Sequence, residues 1–367
     1  MVDSPASSQR PALGGPIDKA ALEALVKGGE IIAARTLSNL DLTGIDLSGA
    51  VFEKVDLSGS KLDGGKLREA VLVGCDLRGA SLTNVEAAHV TLSSCLLDEV
   101  DFTGAALPMG RIVESRLTRA RFNGANLLAT AFLKSQAAEC TFKDANMDRT
   151  QFIHVTFDGT SFDGAKLKQA VLYEADLRKA ILRGGAYELC VLNKANLEGM
   201  DLSEMNLSLC QFQDGLLAGT NFRGANLEQC NFKTADLKGS NFEGANLTRS
   251  MLAGAMLDNV SFKKANLKEA LCAEAVAPDA DFTGIEAVGA VFLGAKLPRT
   301  KFVDANLTYA VFSHADVRLA DFSGATLVLT RLHAIEEDGA TFGIGRARSL
   351  ATDDEMLAAE KWQPRAR

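Results

Sequence analysis

Stepping by fives from Leu37 to Phe342 meets Leu, Phe, Ile, Met, Val or Tyr at 56 of 62 positions, with no slip of phase. The exceptions are Ala87, Ala137, Cys272, Ala277, Ala287 and Glu337. All 19 phenylalanines fall on this series, where random placement would put only about four, so the period is a property of the chain. Five fits neither the 3.6 of a helix nor the 2 of a strand. It fits a backbone that turns a corner after every fifth residue.

The residue two before each large one is also restricted. It is most often Ala, then Ser, Thr, Cys, Val or Gly. Six of the seven cysteines stand there: Cys75, Cys95, Cys140, Cys190, Cys210 and Cys230. The seventh, Cys272, replaces a large residue. A cysteine confined to alanine positions acts as a small buried hydrophobe. No CxxC or CxH pair points to metal or redox chemistry.

Four corners of five residues close a square coil of 20, and coils stack about 4.8 Å apart through backbone hydrogen bonds. Large and small residues face the axis, the residues flanking each large one face solvent, and Gly often follows at the turn, as in LSGA, LRGA and FEGA. The pattern A(D/N)LxG over residues 36–342 resembles the pentapeptide-repeat family. The resemblance implies an all-β fold, a right-handed quadrilateral parallel β-helix. At 62 fives the solenoid has about 15 coils and is roughly 75 Å long. Residues 20 apart stack on one face. Eighteen of the 19 phenylalanines end in the digit 2, which places them on two opposite faces with Leu on the other two.

Open coil ends need caps against edge pairing. Within 17–35, DKAALEALVK (18–27) reads as an amphipathic helix stopped by Gly28 and Gly29. Within 343–367, TDDEMLAAEKW (352–362) reads as a second helix with a Thr352/Glu355 capping box and apolar Met356, Leu357 and Trp362. Both are expected to be lids. Residues 1–16, polar and rich in Pro and Gly, are expected to be a flexible tail, and QPRAR at the C-terminus to be loose.

A net charge of −8 argues against general binding to nucleic acid or to a membrane surface. No segment approaches the ~18 apolar residues that span a bilayer. Seven cysteines and no signal-peptide pattern make the cytoplasm the expected compartment. Catalytic motifs are absent, and a regular rod lacks a cleft, so no enzyme and no cofactor are expected. The histidines, His89, His154, His314 and His333, are far apart in the register, and none has a carboxylate or cysteine at metal-ligand spacing. No metal site is expected. Frequent Asp before the large residue, and an Asn series at 206, 226, 246 and 266, read as turn stabilisers.

What is left is surface. On the face carrying Phe52, Leu72 and onward to Leu332, 14 of 30 outward residues are large and apolar. They are Val51, Val71, Val73, Val113, Leu133, Ile153, Val171, Tyr173, Val191, Met251, Leu271, Val291, Leu293 and Val311. The other three faces together have 9 of 94. If all four faces share one backbone, strand propensity does not explain the difference, and the strip reads as a contact surface for a protein partner or a second copy. The face of Leu57 sums to −6, the others to −3, −1 and +1. Segments 105–116 and 272–288, with small or Pro-flanked centres, are expected to bulge or thin and offer recognition sites.

The opening ARTLSNLDLTGIDLSGAVF, preceded by a helix, resembles the entry to the pentapeptide arrays of bacterial type VI secretion accessory proteins. That likeness implies an adaptor that helps load effectors. A second expectation is the DNA mimicry by which some pentapeptide-repeat proteins bind gyrase. Against it, −9 over the array is several-fold short of the roughly one charge per 1.7 Å of duplex DNA. A third is a secreted effector.

Overall fold

The computed structural model describes residues 17–362. The two tails expected to be loose lie outside the described residues. Helix α1 (Lys19–Lys27) leads into strand β1 (Ile31–Ala33), followed at 20-residue intervals by β2 (Val51–Glu53), β3 (Val71–Val73), β4 (Thr91–Ser93), β5 (Arg111–Val113), β6 (Ala131–Leu133), β7 (Gln151–Ile153) and β8 (Val171–Tyr173). These eight form one parallel sheet in chain order, with residue i opposite i+20. The other faces, and this one beyond Tyr173, are held by single-residue parallel bridges in the same register, such as Asp56 to Asp76 and Val291 to Val311. Short β9 (Asp321–Phe322) and β10 (Thr341–Phe342), a 3-10 turn (Ile344–Arg348) and α2 (Asp354–Glu360) end the chain. The structure is the all-β quadrilateral β-helix that the period of five requires.

The solenoid starts one step earlier than residue 36. Ile32 is buried, in phase with Leu37, and β1 already pairs with β2. Every corner but that of Lys179 places one residue in the left-handed region, at Gly64 (φ +64°) but equally at Glu69 (φ +58°) and Arg119 (φ +59°). The polar residue before the large one stabilises that corner. Asp41 Oδ1 accepts from Thr43 N at 3.1 Å, and Asn226 Oδ1 from Glu228 N at 3.3 Å. The Asn series also bonds between coils, Asn226 to Asn206 and Asn246 to Asn226, both at 3.0 Å.

The core has a regular aromatic order. Rings 20 apart stack, as in Phe282–Phe302 (4.9 Å, 6°), and rings 10 apart meet edge to face across the axis, as in Phe302–Phe312 (5.5 Å, 86°). Both arrangements suit the ring quadrupole. The small inward residues do more than save space. Ser60, Thr130, Cys140 and Cys210 donate to the carbonyls of Leu37, Leu107, Leu117 and Tyr187, each 23 residues earlier. The thiols thus serve as weak donors as well as small hydrophobes.

Segments 105–116 and 272–288 neither bulge nor thin. Leu107 N bonds Asn126 O at 2.9 Å, and Cys272 N bonds Val291 O at 2.7 Å, as in any other coil. The small centres leave the ladder intact because the backbone, not the core side chain, sets the spacing between coils. The break comes elsewhere. Among the described residues, no backbone hydrogen bond joins 181–187 to 201–207. Here Met200 and Met205 occupy the small inward positions and are left only partly buried. Tyr187 fills an axial position and folds back over Gly185 to donate to Leu182 O at 2.7 Å. A Cβ on Gly185 would lie 2.6 Å from that hydroxyl, so glycine is needed for the close approach. Overfilled positions force neighbouring coils apart.

The two end helices differ. Asp18 caps α1, Leu22 is fully buried, and Glu23 accepts from Asp46 N at 3.2 Å, so α1 closes the N-terminal end. At the other end the edge is paired by the segment after the 3-10 turn, where Leu332 N bonds Leu350 O at 2.8 Å. The N-cap of α2 is Asp353, which accepts from Glu355 N and Met356 N at 3.0 Å. Thr352 instead accepts from Ala334 N. Helix α2 buries no residue, and Met356 and Trp362 are exposed, so it is no apolar lid.

Candidate interaction surface

The 14 apolar residues all lie on the face formed by β2–β8 and its continuation, flanking buried axial residues. Because the register is 20, they stack in two rows. Val51 stands opposite Val71 and Ile153 opposite Tyr173, and Met251, Leu271, Val291 and Val311 form one unbroken file. Ile31, 60% exposed and paired with Val51, extends the strip at its N-terminal end. Counting the array from residue 36 hides it, although Ile32 is in phase.

The structure divides the strip. Val51, Val71, Val73, Val113, Leu133, Ile153, Val171, Tyr173 and Val191 form one patch. Met251, Leu271, Val291, Leu293 and Val311 form another. Between them lie Gln211, Gln213, Asn231 and Lys233, with Asn231 Nδ2 donating to Gln211 Oε1 at 3.2 Å. The premise that all faces share one backbone fails for the first patch. Only this face, as far as Tyr173, is a continuous three-residue strand, where β-branched residues are at home. The second patch stands on the same bridge-and-turn backbone as the polar faces. There propensity gives no reason for a file of large apolar side chains, and Leu271 and Leu293 are each 44% exposed.

Charge is sparse on the strip. Of its 30 outward residues only Glu53, Arg111, Lys233 and Arg331 are Asp, Glu, Lys or Arg. The adjoining corner row is charged and paired, with Lys134–Glu114 at 3.6 Å and Lys194–Glu174 at 3.3 Å. An apolar centre with a polar rim is the anatomy of a protein interface. On the face of Leu57 the carboxylates are neutralised locally. Arg178 beside Asp176, and Arg318 beside Asp316, hold those carboxyls below the usual carboxylate range.

All seven thiols are free and buried, and burial pushes Cys140 and Cys272 up to about 12. The histidines are a different matter. His314 and His333, expected to be far apart in the register, are 19 residues apart, so the 20-residue stacking sets them side by side at 5.4 Å between ring centroids, and Glu360 of α2 reaches both. Applying the 20-residue register to the histidines would have found the pair, whereas the third member comes from outside the repeat.

With that geometry in view, family comparison is direct. The pentapeptide repeat region model matches residues 115–189 and 186–262, and the pentapeptide repeats (8 copies) model matches 36–68, 66–98 and 288–324. The chain belongs to the pentapeptide-repeat family. No curated protein matches it. Similar solved structures include HetL, a pentapeptide repeat protein involved in heterocyst differentiation regulation in the cyanobacterium Nostoc (25% identity, 72% of this chain and 95% of that one, TM-score 0.22). QnrB1, a plasmid-mediated fluoroquinolone resistance protein, is 14% identical over 65% of this chain and 92% of its own (TM-score 0.29). Rfr23 from the cyanobacterium Cyanothece is 21% identical over 40% and 91% (TM-score 0.18). Scores this low transfer neither partner nor role to this pentapeptide-repeat protein. No described helix is long and apolar enough to cross a membrane.

Proposed function

We propose that this protein is a non-enzymatic interaction scaffold that binds a protein partner, or a second copy of itself, through its apolar face. The observation that supports this most is the file Met251, Leu271, Val291 and Val311 with Leu293 beside it, in which Met251, Leu271 and Leu293 are exposed and the two valines half-buried, on a backbone that elsewhere carries polar residues. The whole face, both patches with the polar break between them, is roughly 75 Å long and 10 Å wide, about 750 Å², so matching the ~800 Å² each partner gives to a standard interface would take both patches. Free thiols suit a reducing compartment such as the cytoplasm. The entry segment 34–52 favours an adaptor in type VI secretion as the biological setting. Gyrase mimicry fits less well, because 47 acidic residues are nearly balanced by 39 Lys and Arg and many are paired with Arg or Lys on the same or the next coil.

The test is Leu271→Asp with Leu293→Asp. Both side chains are half in solvent, so the coil survives while the patch gains two charges. Light scattering across a concentration series, and co-purification with proteins encoded beside its gene, should show a dimer or complex in the native chain and its loss in the variant. A native chain that stays monomeric and partnerless, or a variant that assembles unchanged, overturns the reading. Gyrase inhibition by both forms alike would favour mimicry instead.

A further inference from the structure

Helix α2 poses a physical problem. It has seven residues, buries none of them, and exposes Met356, as the turn that follows exposes Trp362. Isolated helices this short are not stable in water. What fixes it to the rod is polar and concentrated at one place. Glu360, its last residue, reaches His314 Nε2 at 3.4 Å and His333 Nε2 at 3.3 Å. His314 is the corner residue after Phe312, and His333 follows Leu332 on the next coil, so stacking of coils brings the two rings together.

We propose that His314, His333 and Glu360 form a zinc site that staples α2 to the last coils. One ligand atom from each residue lies within 4.8 Å of the others. Zinc binds nitrogen and carboxylate oxygen at about 2.0–2.2 Å in a tetrahedron, which puts neighbouring ligand atoms about 3.3–3.5 Å apart. The two short contacts fall on different oxygens of Glu360, His314 Nε2 to Oε1 at 3.4 Å and His333 Nε2 to Oε2 at 3.3 Å, and a small turn of the half-exposed His314 ring brings both nitrogens to one oxygen. Two imidazoles and a carboxylate are a borderline donor set that suits zinc better than the oxygen-seeking magnesium or calcium. Solvent supplies the fourth position.

One contact opposes the site. Asp353 N donates to His333 Nδ1 at 3.2 Å, which keeps the imidazole proton on Nε2. Zinc on Nε2 displaces that proton to Nδ1 and removes this hydrogen bond. A neutral hydrogen bond shifts an equilibrium by only about tenfold, a small cost to set against coordination by two imidazoles and a carboxylate. Asp353 is exposed, and its N–H then turns to water.

The full chain, stripped with chelator, is titrated with zinc by calorimetry and with cobalt by visible absorption. We expect one equivalent bound, the strong visible bands of four-coordinate cobalt, and slower tryptic cleavage at Lys361 when zinc is present. His314→Ala and Glu360→Gln alter exposed side chains and should leave the rod folded. Each should weaken zinc by at least the ~10–100-fold that even outer-shell partners are worth, and abolish the protection at Lys361. Absence of zinc heat and cobalt bands in the native chain overturns the proposal. So does undiminished binding in His314→Ala combined with Glu360→Gln, or sulfur-to-cobalt charge transfer, which would assign the metal to cysteine.

Discussion

Phe302 tests the core most sharply. It is fully buried, stacked between Phe282 and Phe322 at 4.9 Å each, and met edge-on by Phe292 at 5.8 Å and Phe312 at 5.5 Å. Phe302→Ala removes a side chain that buries about 150–250 Å² and leaves a cavity that rigid stacked coils cannot collapse, a loss of about 4–5 kcal/mol. Phe302→Leu keeps most of the volume and loses the four ring contacts, about 1–2 kcal/mol. Because each coil touches only its neighbours, the damage should stay local. Native-state hydrogen exchange should therefore show amides of residues 282–322 losing protection by those amounts, while residues 51–133 keep theirs. A loss below about 2 kcal/mol for the alanine variant would refute the stacked core, given the large-to-small costs known for aromatic residues. So would equal loss along the whole rod, which would mean that the coils unfold as one unit.

Met200→Ala with Met205→Ala should close the break between 181–187 and 201–207, because alanine fits the inward position in most other coils. Hydrogen exchange of those amides should slow by about tenfold or more, as expected for regained backbone bonds, and unchanged exchange would show that Tyr187 alone holds the coils apart. The buried thiols predict an alkaline transition. Cys140 and Cys272 stay protonated in the fold up to about 12, whereas the reference thiol value is 9.0. Their contribution is fully present below pH 9 and is lost as pH rises towards 12, at about 1.4 kcal/mol per pH unit for each thiol. Denaturant midpoints measured from pH 8 to 11 should fall less steeply for Cys140→Ala with Cys272→Ala, and an identical slope would contradict the assignment.

The solenoid was legible in the sequence because its core repeats strictly. One phase, from Ile32 to Phe342, determines which residues face inward, and the digit rule for phenylalanine already implies stacking at 20 and crossing at 10. The polar corners were legible for a similar reason, since Asp and Asn bond to a backbone amide only two residues on. Where the reading failed, the missing information was three-dimensional. Small centres at Ala277 and Ala287 looked like weak points, yet backbone bonds hold the coils there, while the oversized Met200 and Met205 mark the true break. Strand geometry on a single face, confined to the first eight strands, separates an apolar patch explained by backbone from one that is not. Neighbours in the array are fixed by counting. Glu360 lies beyond the count, so only the folded chain could bring it to His314 and His333.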